Sequence, residues 1–115
     1  MARLDRDKVR REFHAAVNMT AAELEDWLAT HESRKVGWKG IDGGRSESVG
    51  HASGRRIVAI LAKPAEELTD ADYAHMRKVV GFIRRHSAQR PANIYTSRWR
   101  YSLMNWGHDP AREEI

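Results

Sequence analysis

The chain has no cysteine. Disulfide staples, thiolate metal sites and a cysteine nucleophile are therefore excluded. No stretch approaches the roughly 18 apolar residues that a membrane span needs, and no apolar signal region opens the chain. A soluble cytoplasmic protein with no membrane partner is expected. Strand character is also scarce, since nothing alternates with period two except a weak stretch near Asn93–Tyr95. There is no internal repeat.

What is present is helical periodicity in 115 residues, a length suited to one domain. A first helix is predicted over about Leu4–Val17, with Leu4, Val9, Phe13 and Val17 as a loose stripe. Thr20 and Glu23 have the spacing of a capping box, with Met19 and Leu24 as its hydrophobic staple. Leu24, Trp27 and Leu28 then share a face. Ser53 is read as the cap of a helix over about Gly54–Ala62, ended by Pro64. Thr69 and Asp72 form a second capping box, opening the longest helix, about Asp70–Ala88, with the stripe Tyr73, Met76, Val80 and Ile83. Thr96 or Ser97 caps a last helix carrying Trp99, Leu103 and Trp106, and Gly107 suits its C-terminal end. The expectation is an all-α, single-domain bundle of four to five helices over residues 1–115. It includes a long, mobile Gly/Ser-containing loop at residues 31–52, an exposed Asp109 and a disordered tail at residues 111–115.

Catalytic chemistry finds little support. None of the six histidines has the His-x-x-x-His spacing of a helical zinc pair. His75 and His86 share a face but lie about 16 Å apart along a helix, at ~1.5 Å per residue. Lys39-Gly40 lacks the flanking residues of a phosphate-binding loop, and nothing marks an activated serine. His108-Asp109 is adjacent in sequence, which does not make a relay. Its simpler reading is local hydrogen bonding at the end of the last helix. No enzyme activity, metal or cofactor is expected.

Three segments carry a family resemblance. Glu12-Phe13-His14 runs through Val17-Asn18-Met19-Thr20 to Glu23-Leu24 and Trp27-Leu28. Gly54-Arg55-Arg56 leads to Ile60-Leu61, then to Leu68-Thr69-Asp70-Ala71-Asp72 and Met76-Arg77-Lys78-Val79-Val80. The last is Trp99-Arg100-Tyr101 with Leu103-Met104-Asn105-Trp106-Gly107-His108-Asp109-Pro110. Together they resemble the domain of unknown function 3140 family, small and largely actinobacterial proteins. The Gly-His-Asp-Pro string is the most specific part. The resemblance implies a protein of the kind often labelled DNA-binding, and it supplies no active site.

Charge points the same way. From Ser53 to Arg100 there are ten Lys and Arg against four Asp and Glu, a local +6 within a chain of net +4. Such a field attracts polyanions. Arg55, Arg56, Arg77, Lys78, Arg84 and Arg85 are the expected nucleic-acid contacts. The four on the longest helix form a band beside its apolar stripe. The competing reading is a solvated face paired to Glu66, Glu67, Asp70 and Asp72. Trp27, Trp99 and Trp106 read as core. Trp38, beside Lys39, could anchor the glycine-rich loop or stack on a single-stranded base. Asp70 and Asp72 at the start of the longest helix argue against its insertion into a major groove. Contact with the phosphate backbone of double-stranded DNA, with weak sequence preference, is therefore expected. The alternative is a protein-interaction or scaffolding module, in which acidic Glu23–Asp26 meets basic Arg77–Arg85 across subunits of a homodimer or on a partner.

Overall fold

The computed structural model describes residues 5–37 and 47–114. Among them the fold is all-helical: α1 (Arg6–Ala16), α2 (Ala21–Leu28), α3 (His31–Lys35), α4 (Val49–Leu61), α5 (Asp70–Ser87) and α6 (Arg98–Asn105). Short 3-10 turns follow at Ala65–Glu67 and Pro110–Glu114. No helix of the described residues is long and apolar enough to cross a membrane.

The caps act where their chemistry says they should. Thr20 with Glu23, and Thr69 with Asp72, make reciprocal capping boxes, and Ser97 accepts from the Arg100 amide. Asp5 caps α1, so that helix starts at Arg6 rather than Leu4. Two further differences from expectation fall in the stretch between α2 and α4. Thr30 caps the short α3 inside the stretch assigned to a loop, and Ser48 rather than Ser53 caps α4. Residues 31–35 and 49–52 are thus helical. Trp38 and Lys39 lie outside the described residues.

Helix α4 extends backward through Gly50 and Gly54 because tertiary packing needs them small. Gly50, Ser53, Gly54 and Ile57 are all buried on this helix. A Cβ on Gly54 would stand 2.6 Å from the Asn105 carbonyl oxygen and 2.6 Å from Leu28 Cδ2. The lack of a side chain lets α4 approach α2 and α6 closely, at the cost of weaker intrinsic helix propensity.

Helix α1 packs on α5, α2 packs on α4, and α6 touches α2, α3, α4 and α5. Phe13, Leu24, Ile57, Met76, Val80, Ile83, Leu103 and Trp106 are buried in one core, while Trp27, Leu61 and Trp99 pack partly buried against it. Tyr73 is buried too, and its hydroxyl accepts from Arg10 at 2.8 Å across the α1–α5 contact. Arg6 pairs with Asp70, and Arg84 with Glu12 at 2.6 Å, so α1 and α5 run in the same direction. The weak strand signal near Asn93–Tyr95 is a turn whose Ile94 is buried.

The C-terminal string is integrated into the fold. Gly107 has φ +83°, and a Cβ there would meet Val17 Cγ1 at 3.0 Å. Its carbonyl accepts from the Met19 amide at 3.2 Å. His108 Nδ1 donates to the Ala16 carbonyl at 2.7 Å. Asp109, expected to be exposed, is only 8% exposed. Its amide donates to Asn18 Oδ1 at 2.7 Å, its carbonyl accepts from Asn18 Nδ2 at 3.0 Å, and Arg100 grips its carboxylate with two hydrogen bonds, at 3.0 and 3.1 Å. Residues 111–114 continue as part of a 3-10 turn. The Ala111 amide donates to Asp109 Oδ1 at 3.0 Å, and Arg112 reaches back to Asn18 and Glu23.

Candidate nucleic-acid interface

Helix α5 displays the basic side chains because its apolar positions are spent on the core. Met76, Val79, Val80 and Ile83 are buried, which leaves Arg77, Lys78, Arg84 and Arg85 exposed. The six expected contact residues divide into two sets. Arg55 Nε donates to Glu47 Oε2 at 2.8 Å, with a second guanidinium bond to Glu47 Oε1. Arg56 lies 3.7 Å from Asp72, and Arg84 pairs with Glu12. Arg77, Lys78 and Arg85 have no carboxylate partner among the described residues.

Ion pairing therefore claims half of the proposed contacts, through partners other than most of those expected. Asp72 does meet Arg56, but Glu47 and Glu12 supply the other two pairs. Asp72 also accepts from Lys63 Nζ at 2.8 Å and from the Thr69 amide at 3.0 Å. The Lys63 bond and the capping amide hold its carboxyl at about 2. Hydrogen bonding to Arg55 likewise holds Glu47 at about 2, against the opposing effect of burial, and Arg112 with the Thr20 amide holds Glu23 at about 2. Burial alone would raise the Asp109 carboxyl. Its bonds from Arg100 and the Ala111 amide outweigh that and keep it below the ordinary carboxylate range.

Beside Lys78 and Arg85 lies an aromatic row. Phe82 stacks on Trp106 with centroids 4.3 Å apart, Trp106 faces His75 at 6.3 Å, and His86 lies 5.0 Å from Phe82 and 6.5 Å from Trp99. His75 Nε2 meets Ser53 Oγ at 2.9 Å. Burial lowers both imidazoles below their ordinary range, and the charges of Arg56 and Lys78 push His75 further down.

These shifts fix the sign of the pH dependence. An imidazole lowered on folding binds a proton more readily in the unfolded chain, so stability falls as pH drops through about 6.5. A carboxylate lowered on folding contributes stability that is fully present above its unfolded value of about 4 and is lost below it. Urea midpoints measured from pH 8 to 2 should show a plateau, a first decline below about pH 6.5 and a steeper one below about pH 4.5. His75→Gln with His86→Gln should remove the first decline and leave the second. A midpoint flat down to pH 3 would contradict both assignments.

Sequence reasoning overlooked Phe82, which lines a cleft with Lys78, Arg85, Ser102 and Trp106. The available signal was the spacing of Lys78, Phe82 and Arg85, at i, i+4 and i+7 on one face of α5. Among the described residues, no group of three or more His, Asp or Glu side chains is placed to hold a metal ion.

Residues 12–104 match the family described as Protein of unknown function (DUF3140). The chain belongs to this family. The match covers most of the described helices and stops just before the Gly107–Pro110 string. In this member, that string joins the α1–α2 junction to the end of α6 through backbone and side-chain bonds. No curated protein and no solved structure matches the chain.

Proposed function

We propose that this member of the family is a small, non-enzymatic DNA-binding protein that contacts the phosphate backbone with weak sequence preference. The observation that carries the reading is the set of exposed cations Arg77, Lys78 and Arg85 on the C-terminal two-thirds of α5, which have no carboxylate partner among the described residues. Cations free of internal partners lose little when they neutralise phosphates, and each neutralised phosphate releases bound counterions. The N-terminal turn of α5 is occupied differently. Asp70 and Asp72 are engaged by Arg6, Lys63 and Arg56. Helix α5 would therefore lie along the backbone rather than enter a groove by its N-terminus.

Two double variants test the division between free and paired cations. Arg77→Ala with Arg85→Ala should weaken binding to every duplex sequence and reduce the slope of log affinity against log salt by up to about 2. Arg55→Ala with Arg84→Ala removes side chains already committed to Glu47 and Glu12, and should change the slope far less. Labelled duplex titrated at several salt concentrations gives both slopes. No binding at low salt, or binding insensitive to salt, would overturn the reading.

A further inference from the structure

We infer that the cleft between α4, α5 and α6 is a binding site for a small aromatic anion. The cleft encloses about 270 Å³ and is lined by Val49, Lys78, Phe82, Arg85, Ser102 and Trp106, with Gly37, Gly50 and Asn105 completing it. Its wall is apolar and ring-shaped. Phe82 is only part-buried where it stacks on Trp106, with 14° between the planes, and Val49 is 43% exposed, although both are large apolar residues. A planar ligand would cover this surface.

The polar groups select the charge. Lys78 and Arg85 stand seven positions apart on one face of α5, about 10 Å along the axis, and bracket Phe82. Among the described residues, no carboxylate lines the cleft and neither cation has a carboxylate partner. Ser102 adds a hydroxyl. The Nε1 edge of Trp106 lies 2.9 Å from where a Cβ on Gly50 would stand, so the glycine keeps that edge uncovered by a side chain. Two cations and two neutral donors beside a low-dielectric wall favour an anion. The volume sits just under the roughly 300 Å³ of the smallest drug-sized pockets, which suits one or two rings bearing a single acidic group.

This inference goes beyond the DNA reading. It shares Lys78 and Arg85 with that reading but is tested with no DNA present, so either can fail alone. The full chain labelled with nitrogen-15 is titrated with phenyl phosphate and with benzoate while the indole N–H signals are followed. Trp27 Nε1 donates to Asn105 Oδ1 at 2.7 Å and Trp99 Nε1 to the His86 carbonyl at 2.6 Å, so both are engaged elsewhere. The Trp106 signal should shift to saturation at millimolar ligand or below while those two move little. Inorganic phosphate and benzyl alcohol should each bind at least about tenfold more weakly, because each satisfies only half of the site. Lys78→Met with Arg85→Met should raise Kd about tenfold or more with the backbone spectrum preserved. If that pair loses its fold, each single variant, at an exposed position, gives the same comparison. Absence of a saturable Trp106 shift overturns the inference. So does inorganic phosphate binding as tightly as phenyl phosphate, or affinity unchanged in the variants.

Discussion

Replacing Trp106 with alanine is expected to lower the free energy of unfolding by about 3–5 kcal/mol, the range for removing a large buried aromatic. Trp106 is 4% exposed and lies where α4, α5 and α6 meet. One ring face stacks on Phe82, and its Nε1 edge lies 2.9 Å from where a Cβ on Gly50 would stand. The vacated space would be bordered by three helices that cannot all close on it, because Gly54 already sets the α4–α6 approach near contact distance. Urea denaturation followed by far-ultraviolet circular dichroism measures the loss. A change below about 0.5 kcal/mol, the range of ordinary surface substitutions, would show that the indole is not part of the core.

The second large effect is expected at Asn105, which is 1% exposed. Its Oδ1 accepts from Trp27 Nε1 and from the Ser33 hydroxyl, and its Nδ2 donates to the Ser33 carbonyl at 3.0 Å. Asn105→Ala strands two donors and an acceptor in a buried site, each costing about 1–3 kcal/mol if nothing replaces the partner. The groups relax together, so a total of about 2–4 kcal/mol is expected rather than the full sum. The damage should concentrate in α3. Amide exchange there should accelerate more than in α5, and the indole N–H signal of Trp27 should move. Uniform acceleration across all helices would mean that Asn105 supports global stability without tying α3 in particular.

The fold was legible where local chemistry and tertiary demand agree. Thr20 with Glu23 and Thr69 with Asp72 announce helix starts because a cap acts through residues three apart. Helix α3 was not legible. His31–Lys35 is polar throughout and carries no apolar period, and its one buried side chain is Ser33, whose partner Asn105 lies 72 positions away. The start of α4 was misread for a related reason. Gly50 looks like part of a loop until Trp106 and Asn105 of the last helix are placed against it. The basic band on α5 was visible from spacing alone, but its division was not. That Arg84 rather than Arg85 pairs depends on Glu12, a residue on another helix. The same long-range pairing hid Asp109, whose burial follows from Asn18 and Arg100 rather than from its neighbours.

The bond between Asn18 and Asp109 spans 91 positions, and those from Ala16 and Met19 to His108 and Gly107 are comparably long-range. During synthesis, α1 and α2 therefore emerge long before the groups that close over their junction. Until then the Ala16 carbonyl and the Met19 amide have only water as partner, and Val17 lacks its packing against Gly107. Closing so long a loop carries its entropic cost before any of these contacts forms. The nascent chain should remain open to proteases at the α1–α2 junction until the ribosome has released Gly107–Pro110, and become resistant there in one late step.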